Sequence, residues 1–229
     1  MHPIIWLAES DPPTALPPSD RALRDPNGLL AAGGALSPAW LVHAYRHGVF
    51  PWYGPGQPIL WWTPDPRAVL VPDEFRISRS LARSIRNRGY RTTIDTAFGA
   101  VLAGCAAPRR DSPGTWLTAA MREAYLALHA LGLAHSIETW HEERLVGGIY
   151  GVALGRLFFG ESMFARGRDA SKVALARLVA ECRRHGVGLI DCQVPSPHLA
   201  SLGSRCLPRQ EFEAQLRELV AAEPPAWRQ

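Results

Sequence analysis

Ala134-His135-Ser136-Ile137-Glu138-Thr139-Trp140-His141, Arg144-Leu145-Val146-Gly147-Gly148-Ile149-Tyr150-Gly151-Val152-Ala153-Leu154 and Arg156-Leu157-Phe158-Phe159-Gly160-Glu161-Ser162-Met163-Phe164 form the stretch whose reading decides the fold. The first two runs alternate well enough for antiparallel strands joined at Glu142-Glu143, and the third continues the meander after Gly155. The period then changes. From Asp169 or Ala170 the apolar residues Leu175, Leu178 and Cys182 recur at helical spacing until Gly186, and Gly188 to Gln193 reads as a short strand with polar residues at its end. Antiparallel strands, a helix and a further strand specify an α+β domain whose mixed, mainly antiparallel sheet is flanked by helices.

Toward the amino terminus, Thr118 opens a helix that passes through Tyr125 and Leu128 and stops at Gly132. Asp95 is expected to cap a helix carrying Phe98, Val101 and Leu102, followed by a loop from Cys105 to Gly114. Phe75 to Gly89 reads as a helix with Ser78 as N-cap, and it holds Arg76, Arg79, Arg83, Arg86 and Arg88. Arg79, Arg83 and Arg86 follow helical spacing and share one face, which suits either a solvated surface or a phosphate-binding one. Residues 1–65 are rich in Pro and Gly, with one clear helix from Ser37-Pro38 to Gly48 and aromatics on proline-set backbone. They read as a small N-terminal domain, and residues 66–229 as the larger one. Toward the carboxy terminus a short helix is expected around His198, and a last one from about Arg209 to Ala222.

At 229 residues the chain can bury a real core, and 47% apolar with 20% charged residues argues against extensive disorder. A net charge of +4 points only weakly to an anionic partner, so the clustering of arginine matters more. Cys105, Cys182, Cys192 and Cys206 form no C-x-x-C pair and read as reduced thiols in a cytoplasmic protein. The amino-terminal residues lack the pattern of a signal peptide, and no apolar run reaches membrane-spanning length. Neither a Walker motif nor metal-ligand spacing occurs, and no cofactor is expected.

Glu161 stands among Phe158, Phe159, Met163 and Phe164, which predicts a partly buried carboxylate. Its desolvation has to be offset, and a cationic ligand is one candidate. Lys172 is the one lysine among 25 Lys+Arg residues, so its compact ammonium is a second candidate for a special role. Asp191 and Gln193 are two apart on a strand and are expected on one face. They suit either a turn cap and a backbone bond, or convergence on one reacting atom, as acyl transfer to an amine requires.

Pro26-Asn27-Gly28-Leu29-Leu30, Gly48-Val49-Phe50-Pro51-Trp52, Trp61-Trp62-Thr63-Pro64-Asp65-Pro66-Arg67, Ala134-His135-Ser136-Ile137-Glu138, Leu145-Val146-Gly147-Gly148-Ile149-Tyr150-Gly151, Gly160-Glu161-Ser162-Met163-Phe164, Ala170-Ser171-Lys172, Ile190-Asp191-Cys192-Gln193 and His198-Leu199-Ala200-Ser201-Leu202-Gly203 resemble, in order, the signature blocks of leucyl/phenylalanyl-tRNA–protein transferases. The resemblance implies an acyl-CoA N-acyltransferase-like fold for the larger domain. It implies transfer of Leu or Phe, and less often Met, from tRNA to the N-terminal Arg or Lys of a protein, marking that protein for degradation. The implied partners are Leu-tRNA, Phe-tRNA, Met-tRNA and such acceptor proteins, met by a monomer that needs no cofactor. By the same resemblance Asp191, Gln193 and Glu161 form the reaction centre. Trp52 and Trp116 hold the terminal adenosine, and Ile149, Phe158, Met163, Leu178, Cys182 and Ile190 line the amino-acid slot. Arg76, Arg79, Arg83 and Arg86 grip tRNA phosphates, while Ser162 and Lys172 stand behind the centre. A CoA-dependent acetyltransferase is disfavoured, because Phe164-Ala165-Arg166-Gly167-Arg168-Asp169 brings a carboxylate to the helix start without a closely spaced glycine pair. A non-catalytic RNA-binding protein is the other alternative.

Overall fold

Ser37 accepts the Trp40 N–H on its hydroxyl and Pro38 presets the first helical φ, so a helix starts there and runs over Pro38–Arg46 (α1). In the computed structural model, which describes residues 4–108 and 117–227, α1 buries Trp40, Leu41, Ala44 and Tyr45. Around it lie four short strands, β1 (Ile5–Leu7), β2 (Leu29–Gly33), β3 (Phe50–Pro51) and β4 (Leu60–Trp62), in the order β1-β2-β4-β3. Trp40 stacks on Trp61 with ring centroids 5.6 Å apart, which fixes the helix on this sheet. The sequence reading contained none of these strands. Each spans two to five residues between prolines and glycines, too short for alternation to register.

The rest of the chain builds β5 (Arg67–Leu70), α2 (Arg79–Asn87), β6 (Tyr90–Ile94), α3 (Phe98–Ala106), α4 (Ala119–Ala130), β7 (Ala134–His141), β8 (Arg144–Leu154), β9 (Leu157–Ala165), α5 (Ala170–His185), β10 (Leu189–Gln193), α6 (Pro197–Ser201), β11 (Arg205–Leu207) and α7 (Arg209–Ala221). The seven strands form one sheet in the order β11-β5-β10-β9-β8-β7-β6. β9 and β10 are parallel and α5 makes the crossover between them; every other neighbouring pair is antiparallel. The expected order of meander, helix and further strand is therefore present. β7 and β8 fall where the alternation puts them, with Ile137 opposite Ile149.

Glycines in β8 let neighbours come close. A Cβ on Gly147 would stand 2.6 Å from the Ala170 Cβ at the start of α5, and one on Gly151 would stand 2.5 Å from the Phe158 ring. Phe158 and Phe159, adjacent on β9, enter different apolar clusters on opposite sides of the sheet. Phe159 joins the larger cluster, where α1, α3, α4 and α7 meet and where Leu30 and Trp61 of the small sheet are also found. Phe158 joins the smaller one, with Leu81 of α2 and Val173, Leu178 and Cys182 of α5.

Three expectations change. Asp95 does not cap α3, whose preceding residue Ala97 gives no side-chain bond; Asp95 instead accepts the Ser136 N–H at 2.9 Å and pairs with His135 Nδ1 at 2.7 Å. The strands β5, β6 and β11, absent from the reading, complete the sheet at its two edges. α3 continues through Ala106, and the part of the expected loop from 109 onward lies outside the described residues.

Candidate active site

A slip in the ladder between β8 and β9 sets the first catalytic candidate. Gly151 lies opposite Gly160 and Tyr150 opposite Ser162, so Glu161 has no residue across from it. Its side chain is half-buried and fully engaged. Tyr125 donates its hydroxyl to Oε2 at 2.6 Å, Gln193 donates Nε2 to Oε1 at 2.9 Å, and the Tyr45 hydroxyl lies 2.8 Å behind that of Tyr125. Burial pushes the Glu161 carboxyl up from 4.5 to about 7; the bonds from Tyr125, Tyr45 and Gln193 pull against this rise, and the Asp191 charge adds to it. Burial, and then the Glu161 charge, also raises the Tyr45 and Tyr125 phenols well above their ordinary value, which keeps both as proton donors at neutral pH.

Asp191 sits beside this centre but is sealed from solvent. Arg67, itself fully buried, donates Nε to Oδ1 at 2.8 Å and Nη2 to Oδ2 at 2.7 Å, a two-point ion pair between β5 and β10. The guanidinium lies over the rings of both Phe50 and Phe212, at 4.9 and 4.7 Å from their centroids. Asp191 Oδ1 also accepts the Gln193 backbone N–H at 2.9 Å. The simple two-residue alternation expected for Asp191 and Gln193 is broken, because the β10–β5 register shifts between them and Gln193 takes a left-handed φ of 65°. That bend carries the Gln193 amide to Glu161. Beside the centre, Ile149, Phe158, Leu178, Cys182 and Ile190 are buried in one cluster, with Met163 packed half-buried against it.

Residues 69–217 match the family described as leucyl/phenylalanyl-tRNA protein transferase, and residues 34–65 match the N-terminal domain of that family. A leucyl/phenylalanyl-tRNA–protein transferase of Stutzerimonas stutzeri is 54% identical over 98% of this chain and 99% of its own length. One of Thiobacillus denitrificans is 58% identical over 89% of this chain and 90% of its own. The chain belongs to the leucyl/phenylalanyl-tRNA–protein transferase family. Among solved structures, the chain resembles L-PGS from Bacillus licheniformis with a TM-score of 0.42 at 11% identity, over 70% of this chain and 53% of that one. It resembles a GCN5-related N-acetyltransferase from Kribbella flavida with a TM-score of 0.36 at 12% identity, over 73% of this chain and 59% of that one.

Trp52 follows β3 and is 45% exposed, its ring edge against Trp62 and its carbonyl accepting the Trp62 indole N–H. Trp116 lies outside the described residues. Arg76, Arg79, Arg83, Arg86 and Arg88 are all exposed on and beside α2. Arg83 and Arg88 turn into a groove of about 660 Å³ whose other wall includes Arg168, so part of the basic face is concave. Lys172 pairs with Asp169 at 3.4 Å across the first turn of α5 rather than reaching Glu161. Ser162 is half-buried opposite Tyr150. Burial pushes the Cys182 and Cys192 thiols well up, so they act as packing groups rather than nucleophiles. Among the described residues, no group of three or more His, Cys, Asp or Glu side chains could hold a metal ion, and no helix is long and apolar enough to cross a membrane.

Sequence reasoning missed Arg67, Tyr45 and Tyr125. The two tyrosines were legible only as members of apolar helix faces; a hydroxyl on such a face needs a partner, and that was the available signal. Arg67 heads the run Ala68-Val69-Leu70, and a charge leading a buried strand carries the same message.

Proposed function

We propose that the protein moves Leu or Phe, and less often Met, from its tRNA to the N-terminal Arg or Lys of an acceptor protein, forming a peptide bond and marking that protein for degradation. The observation that carries this reading is a half-buried carboxylate, poised near neutrality between Tyr125 and Gln193, in a chain of this family. An aminoacyl ester is already activated, so the reaction needs a deprotonated amine and a held carbonyl. The acceptor α-ammonium, with an ordinary pKa of about 7.7–8.0, must first lose a proton. Glu161 is matched to take it. The amine nitrogen attacks the ester carbonyl carbon, the new C–N bond forms, and the C–O bond to the ribose breaks. The second proton shed by that nitrogen goes to the departing ribose oxygen.

Gln193 orients the Glu161 carboxylate, and the Arg67–Asp191 pair positions Gln193 through its backbone N–H. Asp191 is a positioner in this scheme, since it is sealed from solvent in a two-point ion pair with Arg67, whereas Glu161 is only half-buried and is bonded by neutral groups. The buried cluster of Ile149, Phe158, Leu178, Cys182 and Ile190 supports an apolar slot for the transferred side chain, with Met163 at its edge. Exposed Trp52 suits stacking on an unpaired terminal adenosine, and the α2 arginines suit phosphate contacts. Asp169, tied to Ser84 at 2.8 Å at the start of α5, puts negative charge where a CoA pyrophosphate would need N–H groups, which speaks against a CoA-dependent reaction. A monomer in the cytoplasm, with residues 1–65 as a small domain feeding aromatics to the site, belongs to the same proposal.

The test is transfer of labelled Leu from charged tRNA onto a protein that starts with Arg. Wild type is expected to transfer, while Glu161→Gln and Asp191→Ala lose transfer and keep tRNA binding. Binding of acetyl-CoA by calorimetry together with no transfer by wild type would overturn the reading.

A further inference from the structure

The segment after α7 carries Trp227 back onto the large sheet, where the side chain is 7% exposed and belongs to the same apolar cluster as Phe158, Leu178, Cys182 and Ile149. Its ring lies 5.4 Å from that of Phe158, stacks on His135 at 5.2 Å and approaches His185 at 6.2 Å. Its indole N–H is buried without a partner among the described residues. The ring is thus held by packing and ring stacking rather than by a hydrogen bond, at the cost of one unmade bond.

Phe158 is closely packed on its other contacts. It pairs with Ala153 on β8 and Ile190 on β10, its ring crowds the place where a Gly151 side chain would stand, and it is 1% exposed. A Leu or Phe side chain can enter a slot lined by Phe158 only if lining groups give way, because interiors are packed without spare room. At Gly151 the Phe158 ring meets backbone, which cannot yield. It also meets the Trp227 ring, carried by residues beyond the end of α7 at Ala221.

We propose that Trp227 is a specificity-determining residue: it backs Phe158 and limits how deep the amino-acid slot can become, which favours Leu over the longer Phe. The inference rests on the transferase reading above. His135 holds the Trp227 ring from beneath, and is itself fixed by Asp95 Oδ2 and the Gly132 carbonyl. Trp227 acts through Phe158 and touches no reacting atom, so it is a positioning residue.

Competing Leu-tRNA and Phe-tRNA are offered to the full chain with an Arg-starting acceptor, and the ratio of kcat/KM for Phe to that for Leu is read. Trp227→Ala is expected to raise this ratio by about five-fold or more, as a pocket deepened by several carbon atoms should, with tRNA affinity unchanged. Trp227→Phe should return the ratio most of the way to wild type. If Trp227→Ala fails to fold, the ratio of Trp227→Leu decides in its place. An unchanged ratio in a folded, active variant, or equal loss for both amino acids, overturns the proposal while leaving the transferase reading intact. A wild type that transfers neither amino acid overturns both.

Discussion

Glu161 is where the proposed chemistry and the stability of this protein meet. Its carboxyl is raised to about 7 by burial, so if it is the base proposed above, transfer should fall on acidification through that value. Tyr125→Phe removes a bond that favours the charged form, and the acid limb of the rate profile should move to higher pH, measured as kcat/KM between pH 5.5 and 9. The same group costs stability. A folded-state value above the unfolded one means that its favourable contribution is whole below about 4.5 and is lost as pH rises through about 7. Glu161→Gln should therefore unfold at a higher temperature than wild type at pH 8, by an amount equivalent to up to about 3 kcal/mol, and nearly with it at pH 4.5. Equal melting temperatures at both pH values would contradict the raised carboxyl. Arg67 separates structure from positioning in another way. Arg67→Met strands a buried carboxylate and should lose about 3–5 kcal/mol in denaturant unfolding. Adding Asp191→Leu should restore much of that stability but not transfer, because the Gln193 N–H is no longer held.

At the scale of elements, α2 and the strands β8 to β10 behave differently. α2 is an exposed helix whose arginines make few demands on the core, so it should tolerate neutral replacements. Arg83→Gln with Arg88→Gln should weaken tRNA binding and reduce the slope of log affinity against log salt by about two. A slope unchanged in filter binding would remove the groove beside Arg168 from the RNA interface. Helix ends were the most legible features in the chain: Ser37, Ser78 and Thr118 each accept a backbone N–H where the sequence puts a cap. Asp95 looked the same and was not a cap, because its carboxylate found His135 and the Ser136 N–H forty residues away. A cap residue competes among all the donors that folding brings near it, and only the local ones are visible in sequence. The bends at Glu161 and Gln193 were also hidden. A register slip depends on the partner strand, and neither β8 nor β5 announces one.

For the whole molecule, the question is how residues 1–65 are joined to the rest. One apolar cluster runs from Leu30, Trp40 and Trp61 to Tyr150, Phe159 and Phe212, and the Tyr45–Tyr125 contact and the Phe50–Arg67–Phe212 stack cross the same junction. A chain beginning at residue 66 should then expose this cluster and fail to give a cooperative thermal transition; a sharp one would show the larger part to be independent. By itself the sequence determined the meander, the crossover helix, most helix ends and, through the ordered blocks, the family, because these depend on neighbours within a few residues or on the order of motifs. It also brought Glu161 and Gln193 into view, which the structure joins by a hydrogen bond. Tertiary structure alone decided which partner each buried polar group takes. Arg67 reaches Asp191 across 124 residues, Tyr125 reaches Glu161 across 36, and Trp227 comes to rest on Phe158. A buried charge or hydroxyl must be satisfied, but the side chain that satisfies it is chosen by packing in three dimensions, and no spacing along the chain records that choice.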